Sequence, residues 1–164
     1  MSGVPVIRRW RADDGAALVE LILPIQREEF GLAITAEDQP DLADVRGFYG
    51  GGCGGFWVAD AAGRIVGSIG LKDLGGGLGA IRKMFVAAGW RGREKGVGQR
   101  LLDGVLAQAR AGGLAALYLG TAEALVAAHR FYEKNGFRRI EAQALPAAYP
   151  RMAVDTRFYA RALG

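Results

Sequence analysis

Two strand-like apolar runs, Leu78–Ala87 and Leu114–Gly120, flank a glycine- and arginine-rich turn and a helix with a regular apolar spacing. Val97, Leu101, Val105 and Ala109 recur every fourth position, Leu102 and Leu106 widen the stripe, and Gly112-Gly113 follows it as a helix C-cap does. A helix this one-sided must bury its stripe, and strands this apolar must be covered. The segment therefore calls for a sheet with helices laid on it.

The rest of the chain extends that plan. Residues 4–10 suit a first strand, Asp13 or Asp14 a helix N-cap, and Leu18, Leu21, Ile22, Ile25 and Phe30 a helix kinked at Pro24. A short helix is predicted near Leu42–Tyr49. Strands follow at Gly55–Asp60, Arg64–Asp73 and Leu78–Ala87, joined by glycine-bearing turns at 60–63 and 75–77. After the central helix and the strand Leu114–Gly120 come a helix over Ala124–Asn135 and strands at Phe137–Glu141 and Met152–Tyr159. The order β-α-α-β-β-β-α-β-α-β-β predicts an α/β fold with a mixed sheet and helices on both faces. At 164 residues, residues 1–164 are expected to form a single domain.

Composition removes several classes of function. With 51% apolar and 23% charged residues, the chain reads as a folded soluble domain. No apolar run reaches the roughly 18 residues needed to span a bilayer. Met1-Ser2-Gly3-Val4-Pro5 lacks the apolar core of a secretory signal, so no membrane association and a cytoplasmic location are expected. Cys53 is the only cysteine and His129 the only histidine, which leaves no disulfide and no ordinary zinc site; no metal is expected. Cys53 lies among glycines, as an accessible thiol or simply a small loop residue. The formal charge of +4 suits a polyanionic small ligand. Without a basic tail or a basic stripe interleaved with aromatics, it does not point to nucleic acid.

The basic residues are densest in Arg91-Gly92-Arg93-Glu94-Lys95-Gly96-Val97-Gly98, between a strand and a helix. Glycines let a ligand approach the backbone, and exposed N–H groups at a helix start favour phosphate. A Rossmann fingerprint fails for want of its third glycine, because Leu101 stands there; a Walker loop fails for want of Gly-Lys-Ser/Thr. The spacing Arg93-x-x-Gly96-x-Gly98 resembles the (Arg/Gln)-x-x-Gly-x-(Gly/Ala) pyrophosphate loop of the GNAT superfamily of N-acetyltransferases. Ile81–Val86 looks like that family's fourth strand and Tyr118-Leu119-Gly120-Thr121 like its fifth. Ala128-His129-Arg130-Phe131-Tyr132-Glu133-Lys134-Asn135-Gly136-Phe137 resembles its late Ala-x-x-x-Tyr-x-x-x-Gly-Phe signature.

The resemblance implies central strands that splay apart to admit the pantetheine arm of acetyl-CoA, the expected co-substrate. The cofactor-binding residues it implies are Met84, Phe85 and Val86 along the arm, Arg91, Gly92, Arg93, Gly96, Val97 and Gly98 around the pyrophosphate, and Ala128 and Phe131 on the late helix. Leu125 stands where many relatives carry an asparagine able to bond the arm. An amine would attack the thioester directly through a tetrahedral intermediate, with Tyr132 assisting departure of the thiolate. An unperturbed tyrosine has a pKa near 10 and a thiol near 8.5, so complete proton transfer runs about 2 kcal/mol uphill and hydrogen bonding is the alternative.

An alkylamine must lose a proton before it attacks. Glu123, just past the fifth strand, is the first candidate for that base, with Glu28, Glu29 or a water relay as alternatives. His129 is either a base or a structural histidine. The acceptor, expected to be a small-molecule amine, would be chosen by Ile25–Asp41, the loop around Tyr49–Gly55 and Leu145–Tyr159. Tyr149 and Met152 belong to the last of these. The competing function is a non-catalytic acyl-CoA-binding module on the same fold. A homodimer is the expected assembly.

Overall fold

In the computed structural model, which describes residues 3–164, seven strands form one mixed sheet in the order β1-β2-β3-β4-β5-β7-β6. Met1 and Ser2, part of the N-terminal stretch read above, lie outside the described residues. The strands are β1 (Val6–Arg9), β2 (Gly55–Ala61), β3 (Arg64–Gly75), β4 (Leu78–Val86), β5 (Ala116–Thr121), β6 (Arg138–Ile140) and β7 (Arg157–Ala162). All neighbours are antiparallel except β4 and β5. The mixed sheet and element order follow the expectation. On one face the stripe of α4 (Val97–Ala111), with Leu101, Leu102 and Val105 fully buried, packs with Val66, Ile69 and Leu117. On the other, α1 (Gly15–Pro24), α2 (Pro40–Ala43) and α3 (Val45–Tyr49) bury Leu18, Ile22 and Tyr49 with Phe56 and Val58. The remaining helix, α5 (Val126–Lys134), follows β5.

Several boundaries depart from the sequence reading, each for a local reason. Asp14 does not cap α1 through its side chain. Its carboxylate instead accepts the Arg11 N–H at 2.7 Å and both Nη groups of Arg8 at 2.8 and 2.9 Å. Pro24 ends α1, and the chain continues as a wider turn over Ile25–Glu29, closed by the Phe30 N–H on the Ile25 carbonyl at 3.1 Å. The single helix expected at Leu42–Tyr49 is two one-turn helices, because Asp44 leaves helical geometry and caps the second by accepting the Gly47 N–H at 3.0 Å. The last strand begins at Arg157 instead of Met152: the Asp155 N–H turns back to the Met152 carbonyl, and pairing with β5 starts only beyond it.

Two irregularities of β4 position the site. β4 meets β5 only through Leu78–Ala80 against Ala116–Tyr118, and beyond Ala80 the strands part. That is the predicted splay. Against β3, Ser68 pairs with Phe85 and Gly70 with Arg82, so Lys83 and Met84 together stand opposite Ile69. This is a bulge, with Lys83 at φ +54°, a conformation that costs a side-chain-bearing residue about 1 kcal/mol. The wholly buried Ser68 hydroxyl donates to the Lys83 carbonyl at 2.7 Å and fixes the kink. Among the described residues, no helix is long and apolar enough to cross a membrane.

Candidate active site

Where β4 and β5 part, a cleft of about 710 Å³ runs between β4, the start of α4 and the side of α5. Met84, Phe85, Val86, Arg91, Gly92, Arg93, Gly96, Gly98, Ala128 and Phe131 all line it. Val97 does not. Its side chain is 1% exposed and packs in the core with Leu101, so only its main chain remains near the cleft. An apolar residue at the first position of an amphipathic helix falls on the buried stripe, which explains the correction.

The loop before α4 is built for an anion. Gly92 (φ +110°) and Gly96 (φ +67°) bend it, and the Gly92 carbonyl accepts from Lys95 and Gly96 at 3.2 and 3.1 Å. Gly96 caps α4 in left-handed geometry and supplies no side-chain bond to the first turn. A Cβ on Gly98 would stand 3.5 Å from Met84 Cε, 3.8 Å from Val86 Cγ2 and 3.9 Å from Phe131 Cε1. The missing side chain is what keeps the cradle open. Arg93, Arg100, Arg130 and Lys134 add positive charge along the walls. Open amides at a helix start, positive charge and an apolar trough together fit a pyrophosphate joined to a pantetheine arm.

Arg91 is already engaged. It donates Nε to the Val86 carbonyl at 2.7 Å and pairs through its Nη groups with Glu29. That bond holds the Glu29 carboxyl below its ordinary range. Glu29 is thus committed as the partner of Arg91, and neither it nor Glu28 lines either cavity.

A smaller cavity of about 80 Å³ opens on the other side of Tyr132. Met84, Phe85, Leu125, Ala128 and Tyr132 line both spaces, so they form the throat between them. Leu125 gives that throat an apolar wall. The Tyr132 hydroxyl is 3.5 Å from Met84 Sδ, and burial, with the nearby Asp155, pushes the phenol well above the usual tyrosine range. A phenol so disposed donates hydrogen bonds and resists ionising.

The far cavity is charged in a way the sequence did not reveal. Arg82, Lys83 and Asp155 line it, together with Tyr149, Met152 and Gln26. Tyr149 and Met152 are the residues expected to wall an acceptor site. Asp41 stands behind the lining, joined to Lys83 Nζ at 3.0 Å and to the Tyr49 hydroxyl at 2.6 Å. Burial would raise the Asp41 carboxyl, but Lys83, Tyr49 and Arg82 outweigh it and hold it below its ordinary range. Burial depresses Lys83, with Asp41 opposing. The Tyr49–Gly55 loop does not line the cavity.

Glu123 is not where a base must be. Its side chain is 57% exposed, pairs with Arg139 at 3.7 Å and Arg157 at 3.5 Å, and lines neither cavity. The residue follows Ala122, which is buried on the cavity side, and the chain's turn sends it outward. His129 takes the structural role: it is buried, and its Nε2 lies 2.9 Å from the Ala122 carbonyl. Cys53 is a half-buried loop residue, and burial together with Asp73 pushes its thiol up, away from reactivity.

Arg82, Lys83, Asp155, Arg130 and Lys134 escaped the sequence reading. Arg130 and Lys134 carried one available signal, an i, i+4 spacing on the helix that bears Tyr132.

Comparison with known proteins agrees with this geometry. The model of the Acetyltransferase (GNAT) family matches residues 18–137. The chain is 31% identical over 144 residues to the N-acetyltransferase YjgM of Escherichia coli (strain K12), covering 84% of each. It is 35% identical over 104 residues to the N-acetylaspartate synthetase of Danio rerio; the match takes in 61% of this chain but only 36% of that longer relative. A solved acetyltransferase of the GNAT family from Staphylococcus aureus Mu50 superposes with a TM-score of 0.93 at 38% identity, covering 98% of this chain and 99% of that one.

Proposed function

The chain belongs to the GNAT family of N-acetyltransferases, and on that premise we propose that it moves the acetyl group of acetyl-CoA to the amine of a small molecule. The observation that carries this reading is the meeting of two cavities at Tyr132. One is long and apolar with a basic end, as a pantetheine and its pyrophosphate require. The other is small and carries charged side chains on its lining, as an acceptor requires.

In this reading the main chain of Met84, Phe85 and Val86 flanks the pantetheine along the unpaired edge of β4. Buried main-chain N–H and C=O groups need partners, and the amides of the arm supply them. The N–H groups opening α4, with Arg93, take the pyrophosphate, while Ala128 and Phe131 close the opposite wall. Main-chain N–H donors near Val86 stabilise the oxyanion that forms as the amine attacks the thioester carbonyl. Tyr132 donates a hydrogen bond to the departing sulfur. Because its phenol is held well above the usual range, it retains its proton and stabilises charge instead of transferring it outright. Arg91, tied to Val86 and Glu29, braces the end of β4 and takes no direct part. Residues 1–164 act as one catalytic domain.

The test is the thermal midpoint of the purified protein against acetyl-CoA, with NAD and ATP as controls, followed by thiol release with a panel of amines. A ligand at about 100 times its Kd adds roughly 2.7 kcal/mol. Selective stabilisation followed by amine-dependent thiol release supports the reading. Stabilisation without turnover on any amine turns the protein into an acyl-CoA-binding module. No response to acetyl-CoA removes the co-substrate itself.

A further inference from the structure

The cavity beyond Tyr132 has cations on one wall and an acid on the other, and their bonds leave particular groups without partners. On β4, Arg82 and Lys83 are both more than nine-tenths buried. One carboxylate, Asp41, serves the two: it lies 3.0 Å from Lys83 Nζ but 3.7 Å from Arg82 Nη2. Arg82 donates Nη1 to the Pro150 carbonyl at 2.6 Å, and its buried Nε has no partner among the described residues. Among the described residues Lys83 reaches, besides Asp41, only the Met152 thioether at 3.3 Å, a weak acceptor. An orphaned donor on a buried guanidinium costs free energy that an incoming acceptor recovers.

On the facing wall, Asp155 is buried, and among the described residues no side chain hydrogen-bonds to its carboxylate or pairs with it, the Met152 main chain being its near polar neighbour. A Cβ placed on Gly120 would lie 2.9 Å from both Asp155 Oδ2 and the Tyr149 hydroxyl. Both groups therefore converge over β5, in the cavity that Tyr132 closes. Burial holds the Asp155 carboxyl above its ordinary range despite Arg82 and Lys83, which suits a group that accepts a proton.

We propose that the acetyl acceptor is a small α-amino acid, its carboxylate taken by Arg82 and Lys83 and its ammonium group by Asp155. The inference rests on the acetyl-transfer reading above. A plain amine would satisfy Asp155 and leave Arg82 orphaned beside an added cation. A carboxylic acid without an amine would do the reverse, whereas a zwitterion answers both walls. The cavity volume of about 80 Å³ limits the side chain to a few heavy atoms. Asp155 takes one proton from the ammonium group, and the freed amine nitrogen attacks the thioester carbon. The carbon–nitrogen bond forms first, giving the tetrahedral intermediate, and the carbon–sulfur bond breaks as that intermediate collapses. The second proton lost by the nitrogen ends on the thiolate, and Asp155 returns its own to solvent.

The experiment is thiol release from acetyl-CoA with matched acceptors: glycine, alanine, serine and aspartate, their carboxamides, and the corresponding decarboxylated amines. We expect kcat/KM to favour at least one free amino acid over its carboxamide by about 100-fold or more, since a site built around a polar group rejects analogues lacking it. Arg82→Gln should erase that preference while retaining stabilisation by acetyl-CoA. If Arg82→Gln fails to fold, the wild-type protein decides. With coenzyme A bound, its thermal midpoint should rise with the preferred amino acid and stay unchanged with the carboxamide. Carboxamides or simple amines that match or exceed the acids in both measurements overturn this inference and leave acetyl transfer intact. Bound acetyl-CoA with no turnover of any acceptor overturns the transfer reading, and this one with it.

Discussion

The phenolic oxygen of Tyr132 stands 3.5 Å from the sulfur of Met84, which ties the late helix to the bulge of β4 at the point where two cavities meet. A thioether is a poor partner for a buried hydroxyl. The hydroxyl is therefore available to a sulfur arriving through the cleft. Tyr132→Phe is expected to lower kcat by about 100-fold or more, in the range of a lost general acid or strong hydrogen-bond donor. Stabilisation by acetyl-CoA should persist, because the ring still fills its place. Steady-state kinetics beside thermal shift separates the two, and full activity would remove Tyr132 from the mechanism.

Gly98 offers a different separation. A Cβ there meets only ordinary van der Waals contacts, and exchanging a helical glycine for a larger residue relieves backbone entropy. Gly98→Val should therefore leave the ligand-free thermal midpoint within a few degrees of the original. Its methyl groups occupy the trough between Met84 and Phe131, so the response to acetyl-CoA should vanish. A variant that still binds acetyl-CoA normally would place the pantetheine elsewhere.

The bulge of β4 depends on one buried hydroxyl. Ser68→Ala removes the 2.7 Å bond to the Lys83 carbonyl and leaves that buried oxygen without its side-chain donor. Urea unfolding should report a loss of about 1–3 kcal/mol. Because the bulge directs Met84 and Phe85, KM for acetyl-CoA should rise in the folded fraction. Stability lost with KM unchanged would show that β4 keeps its kink by other means.

Asp41 links stability to acid. Its carboxyl is held below its ordinary range in the folded protein, whereas in the unfolded chain it titrates near 3.9. The stabilisation it provides is therefore complete above about pH 5 and is lost as pH falls through the folded value. Asp41→Asn leaves the Lys83 ammonium buried beside a neutral partner and should cost about 3–5 kcal/mol at pH 7. The urea midpoint of the variant should also fall less between pH 7 and pH 3 than that of the parent. An equal fall in both would place the acid sensitivity at another carboxylate, with Asp14 beside Arg8 the next to examine.

Periodicity and spacing carried the sheet and the central helix, and the family resemblance supplied most of the residues that line the cleft. The four-residue repeat from Val97 to Ala109 and the glycines at 92, 96 and 98 act locally, so a linear reading reaches them. Glu123 and Asp155 show where such a reading stops. Each lies within a few residues of a strand end, and which of them faces the cavity depends on where the chain turns. That turn is set by the bond from the Thr156 N–H to the Thr121 carbonyl, across 35 positions. The sequence pattern predicts a last strand from Met152, in which Asp155 is an ordinary strand residue, whereas pairing starts only at Arg157. The bulge at Lys83 has no sequence mark at all: lysine is no turn former, and only Ser68 on the neighbouring strand requires the kink.

Among the described residues, three residue pairs, Leu78–Ala80 with Ala116–Tyr118, join the strands β1–β4 to the strands β5–β7 within the sheet. Within the sheet the two groups of strands are riveted at one end, while α4 packs across both. In the proposed reaction a guest between the free edges would supply the missing rungs, so part of the sheet's rigidity would belong to the co-substrate. Each release of product would then remove those rungs and leave the edges open for the next molecule.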